Sequence, residues 1–62
     1  MDERFVYWLS PKDEKWHFQL IDENNNLLAQ SRGYPSKEDC MQGIDVLKNL
    51  APRAETFEKV EQ

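Results

Sequence analysis

Two side chains in this sequence carry the chemistry from which a nucleophilic site is built: the only imidazole, His17, and the only thiol, Cys40. A thiolate beside an imidazole is reactive, provided the two groups come within hydrogen-bond reach. Twelve carboxylates offer a second chemistry, an acid–base pair or a cation site. They come mostly as neighbours: Asp2-Glu3, Asp13-Glu14, Asp22-Glu23 and Glu38-Asp39. Adjacent residues on a strand point to opposite faces, and none of these pairs sits in a calcium-type ligand loop. They read as solvated turn and cap residues. Gly33 and Gly43 are the only glycines, so there is no phosphate-cradling loop and no nucleophile elbow. A closed zinc site takes four ligands dominated by thiolate and imidazole, and one of each does not supply it. The expectation is no enzyme, no cofactor and no metal.

Whether His17 and Cys40 meet depends on the elements that carry them. Phe5-Val6-Tyr7-Trp8-Leu9 is a β-branched and aromatic run that ends at Ser10-Pro11 and a charged turn, which predicts a first strand. Trp16-His17-Phe18-Gln19-Leu20 alternates strictly, the pattern of a half-buried second strand with Trp16, Phe18 and Leu20 on one face. Asp22-Glu23-Asn24-Asn25-Asn26 is a turn of residues that tolerate left-handed backbone. Leu27 to Ser31 follow as a third strand.

Beyond Pro35 the period changes. Ser36 and Asp39 stand at capping-box spacing, and Glu38 and Asp39 place acids at the positive end of a helix dipole. Cys40, Ile44, Leu47 and Ala51 then draw one apolar stripe, which predicts a helix from Ser36 to Leu50 stopped by Pro52. Gly43 lies on that stripe, where it costs about 1 kcal/mol relative to Ala; a close approach to an aromatic of the sheet would explain it. Glu55 to Val60 alternates again around Phe57 and predicts a short last strand.

With the helix on the Trp16/Phe18 face, Cys40 belongs to the core and His17 to the far side of the sheet. That far side would carry Val6, Trp8, His17, Gln19 and Ile21, a mixed aromatic and polar face and the candidate ligand face. Two occupants compete for it: another protein, or single-stranded nucleic acid stacked on Trp8 with Lys12, Lys15, Arg32 and Lys37 on its phosphates. Twelve acidic against eight basic residues, net charge −4, oppose the second, because such binding needs a positive groove.

At 62 residues and 7.4 kDa the chain has room for one domain, residues 1–62. Leu, Ile, Val and Phe supply fourteen of the 62 residues and there are seven aromatics, enough to favour an ordered core over disorder despite a mean hydropathy of −0.88. A domain this small buries only about 60% of the surface of its unfolded chain. One cysteine cannot form an internal disulfide, which leaves oligomerisation as the supplement. Met1-Asp2-Glu3-Arg4 is not a cationic export region and no apolar run approaches the ~18 residues of a membrane span. The expectation is a cytoplasmic protein without a membrane partner.

Trp16-x-Phe18-x-Leu20, a turn at Asn24-Asn25, Leu27-Leu28-x-x-Ser31-x-x-Tyr34-x-Ser36-Lys37, and Gly43-Ile44 leading to Lys48 and Ala51-Pro52 together resemble the YegP-like family of small bacterial and archaeal proteins of unassigned function. The resemblance spans about residues 5–58. It implies an α+β fold: a three-stranded antiparallel meander, one helix and a C-terminal strand (βββαβ). It further implies that two copies form one continuous sheet by exchanging their last strands. This chain holds one such unit, so the implied assembly is a homodimer with Thr56, Phe57, Glu58 and Val60 in the interface. Three departures stand out: Asn25 in place of the usual turn glycine, Gln19 in place of a strand arginine, and Leu50 in place of an asparagine near the helix end. A ligand that the family held through either of those last two would be lost here.

Overall fold

The computed structural model of the chain describes residues 2–61; Met1 and Gln62, the ends of the expected domain span, lie outside the described residues. Three strands, β1 (Arg4–Leu9), β2 (Trp16–Ile21) and β3 (Leu27–Gln30), are followed by a helix, α1 (Lys37–Leu50), and a single 3-10 turn at Ala51–Arg53. The strands form an antiparallel sheet in the order β1-β2-β3, so the protein is α+β as expected.

Each turn has a local cause. Between β1 and β2 the chain closes through Ser10 N–H to the Lys15 carbonyl at 2.9 Å, and Glu14 takes the left-handed residue at φ 57°. Between β2 and β3 the Asp22 carboxylate accepts from the N–H groups of Asn24 (2.9 Å) and Asn26 (2.8 Å). Asn25 turns the corner at φ 71°, a conformation that asparagine enters at little cost. Asparagine therefore replaces glycine there without losing the turn. Those hydrogen bonds favour the ionised Asp22, and hold its carboxyl below the usual carboxylate value.

Pairing of β1 with β2 sets the two faces. Phe5 opposes Leu20, Tyr7 opposes Phe18 and Leu9 opposes Trp16, while Val6 opposes Gln19 and Trp8 opposes His17. The first set faces α1. After β3 the chain leaves the sheet and returns: the Ser31 hydroxyl accepts from Phe18 N–H at 2.9 Å and donates to the Arg32 carbonyl at 2.7 Å. Tyr34 then rejoins β2 through two hydrogen bonds with Trp16, at 2.7 and 2.8 Å. This is the physical content of the Ser31-x-x-Tyr34 spacing.

Helix α1 starts at the Ser36 hydroxyl, which accepts from Asp39 N–H at 3.1 Å. Its stripe delivers Cys40 and Ile44 onto Phe18, and these three are the buried apolar residues among the described residues. Phe5, Trp16, Tyr34 and Leu47 pack around them half-buried; the rings of Phe5 and Tyr34 sit 5.9 and 6.1 Å from that of Phe18.

A Cβ on Gly43 would stand 2.5 Å from the Tyr34 hydroxyl oxygen, so the glycine lets α1 close onto Tyr34. Gly43→Val is expected to lower stability by about 1–3 kcal/mol, the usual cost of overpacking. Chemical denaturation reads it, and the loss should shrink when Tyr34→Ala removes the obstructing ring.

The expected strand at Glu55–Val60 is absent from the single chain. Residues 54–61 form neither strand nor helix and are exposed throughout. The physical reason is that no sheet edge of the same chain lies against them, and strand pairing needs a partner.

Candidate functional site

His17 and Cys40 do not meet. Cys40 is fully buried under α1, whereas His17 sits beside Trp8 on the opposite face of the sheet. Burial pushes the Cys40 thiol up from its ordinary value, away from the thiolate that a nucleophile requires. Alkylation of Cys40 in the native protein is expected to run at least about a hundredfold slower than in denaturant, because reagent must wait for the core to open. A native rate equal to that of a free thiol would contradict this packing.

On the helix-free face, Val6, Trp8, His17 and Gln19 are neighbours across β1 and β2, and Ile21 lies beyond them opposite Arg4. Trp8 stacks on His17 with 5.7 Å between ring centroids and 23° between planes. The other edge of the imidazole is tied down, since His17 Nε2 and Asp13 Oδ2 are 2.9 Å apart. That contact, with the Lys15 N–H donated to the same carboxylate, draws the Asp13 carboxyl below its ordinary value. Gln19 reaches Gln30 on β3 at 3.5 Å. Asp13 and Gln30 thus join the five expected residues; Asp13 lies in the β1–β2 turn, and its reach to a side chain four residues on depends on how that turn folds.

A larger concavity, about 580 Å³, opens where the β3–α1 connection meets the helix. Arg32, Tyr34, Asp39, Gln42 and Val46 line it, with the Arg32 guanidinium 5.3 Å from the centre of the Tyr34 ring. Nothing in the residue pattern marks it, because its walls come from a loop and a helix that pack only in the fold. It holds no imidazole and no thiol. Among the described residues no group of three or more His, Cys, Asp or Glu converges in a metal-binding arrangement. No helix among them is long and apolar enough to cross a membrane.

Residues 12–58 match the family model described as a domain of unknown function, DUF1508. The chain is 42% identical over 40 residues to a UPF0339 protein of Methanosarcina acetivorans, covering 64% of this chain and 69% of the relative. A UPF0339 protein of Neisseria meningitidis serogroup B is 35% identical over 46 residues, covering 71% and 82%. A solution NMR structure of a protein from Haloferax volcanii superposes with a TM-score of 0.83 at 33% identity, over 92% of this chain and 95% of the other. These relatives come from bacteria and archaea, as the resemblance read from the sequence implies.

Proposed function

The chain belongs to the DUF1508 family of domains of unknown function, and we propose that it acts there without catalysis, as a cytoplasmic homodimeric interaction or structural module. The observation that carries this reading is its surface. A folded monomer of 7.4 kDa is expected to expose about 4,200 Å²; this chain exposes 5460 Å². Its Cα radius of gyration is 13.4 Å, against about 10.6 Å for a compact domain of this length. The excess is about 1,250 Å² per chain, and two such surfaces together reach the range of obligate dimers. Phe57 and Val60, 81% and 72% exposed, are apolar side chains of a segment without a partner in its own chain. A second copy that receives Thr56–Val60 as a sheet strand covers them.

In this dimer the helix-free face, with Trp8 and His17, is the surface left for another protein. Nucleic acid fits it poorly, because Trp8 is already stacked on His17 and the net charge is −4. Light scattering over a dilution series tests the reading: twice the chain mass is expected at micromolar concentration, and a monomer there would overturn it. Titration with mixed oligonucleotides at low salt should leave Trp8 and Trp16 fluorescence unchanged.

A further inference from the structure

Two opposite charges stand unspent in the cavity of about 580 Å³ at the β3–α1 connection. Arg32 and Asp39 both line it, yet among the described residues neither enters an ion pair. The guanidinium sits over the Tyr34 ring, 5.3 Å from its centre, a contact that uses none of its N–H donors and leaves them free for a carboxylate. Asp39 gives its backbone N–H to the Ser36 hydroxyl at 3.1 Å, and its carboxylate stays open. Gln42 adds an amide one helical turn on, and Pro35 and Val46 supply apolar wall. From these observations we infer that the cavity is a binding site for a free α-amino acid with an apolar side chain, its carboxylate on Arg32, its ammonium on Asp39 and its side chain against Pro35 and Val46.

Charge decides the ligand class. An anion alone would meet Asp39 and a cation alone would meet Arg32, whereas a zwitterion satisfies both; the same pair of charges thus selects one ligand and repels the others. The backbone beneath both charges is fixed before a ligand arrives, which spares binding the cost of ordering it. Arg32 lies in a connection anchored to β2 at each end. On one side the Ser31 hydroxyl accepts from Phe18 N–H and the Ser31 N–H donates to the Phe18 carbonyl, both at 2.9 Å; on the other, Tyr34 makes its two backbone bonds with Trp16. The Ser31 hydroxyl also holds the Arg32 carbonyl at 2.7 Å. Asp39 lies in the capped first turn of α1. The size agrees, since small-molecule sites run from about 300 to 1,000 Å³. A second cavity, about 550 Å³ and lined by Asp2, Glu3, Arg4, Glu23 and Asn25, lacks this arrangement. Its guanidinium is already committed, Arg4 donating to the Asp2 carbonyl at 2.8 Å and to Asn25 Oδ1 at 2.6 Å. The amino-acid site shares no residue with the Trp8/His17 face and is formed within one chain.

Backbone amide shifts of the full-length chain, followed by NMR during titration with L-leucine, test the site. At millimolar leucine, saturable shifts are expected at Gly33, Tyr34, Asp39, Gln42 and Gly43 and not at Trp8 or His17. Isocaproate, which is leucine without the ammonium, and isopentylamine, which is leucine without the carboxylate, should each bind about fivefold more weakly, the scale of one exposed ion pair. Asp39→Asn should weaken leucine by about the same factor and leave isocaproate unweakened, while Arg32→Gln should weaken leucine and leave isopentylamine unweakened. Both positions are exposed, so the variants keep their fold, and unchanged amide shifts away from the cavity verify it. Absence of saturable shifts with leucine, shifts confined to other parts of the chain, or either single-charge analogue binding as tightly as leucine would overturn the assignment.

Discussion

Removal of residues 55–62 is expected to abolish the proposed dimer and with it cooperative folding, although residues 55–61 are exposed in their own chain. The contrast gives the prediction its force. Residues 55–61 are exposed in the single chain, so a protein that works as a monomer would lose little by their removal, as fraying termini usually show. In the proposed homodimer each sheet would lose the strand that its partner supplies. What remains buries three apolar side chains, Phe18, Cys40 and Ile44. Stability at about 0.05–0.15 kcal/mol per residue gives a 62-residue domain only a few kcal/mol to lose, and removal of a partner subtracts whatever association contributed. Circular dichroism should show no sharp thermal transition for the truncated chain. A monomer that unfolds cooperatively at micromolar concentration would refute the assembly.

Phe18→Ala is expected to cost about 3–5 kcal/mol, as for a buried aromatic whose cavity cannot collapse. Phe18 is 5% exposed, receives Cys40 and Ile44 from the helix, and stands between the rings of Phe5 and Tyr34. The loss is a large part of the ~3–9 kcal/mol available to one domain of this size, so the variant should unfold at a much lower denaturant concentration. Trp16→Ala should cost less, since Trp16 is only partly buried. Denaturant titration of both variants reads the order directly; Trp16 above Phe18 would mean that the helix seats differently on the sheet.

Much of this architecture was legible in the residue pattern, for local reasons. Strict alternation from Trp16 to Leu20 put Phe18 on the buried face, and alternation along β1 put Val6 and Trp8 on the other face, where they pair with Gln19 and His17. Ser36 and the Cys40–Ile44–Leu47 spacing defined α1 to within a residue. Asn25 was readable as the turn residue because few side chains tolerate positive φ. The separation of His17 from Cys40 also followed, since period 2 on the strand and period 3.6 on the helix put them on different sides of the sheet.

Other features depend on groups far apart in the chain. The obstruction met at Gly43 is Tyr34, which reaches the helix only because it rejoins β2 opposite Trp16. Asp13 holds His17 across a turn whose shape hangs on Glu14 in the left-handed region, and no pattern of residue types announces that. The Glu55–Val60 alternation is a strand pattern by composition, yet the single chain offers it no edge. Which residues can form strands, helix and turns is written in the residue order, because propensity and periodicity act over a few residues. That α1 lies over β1 and β2 and leaves β3 uncovered emerges only in the folded chain, because the position of a helix on a sheet is settled by packing, which no local signal carries.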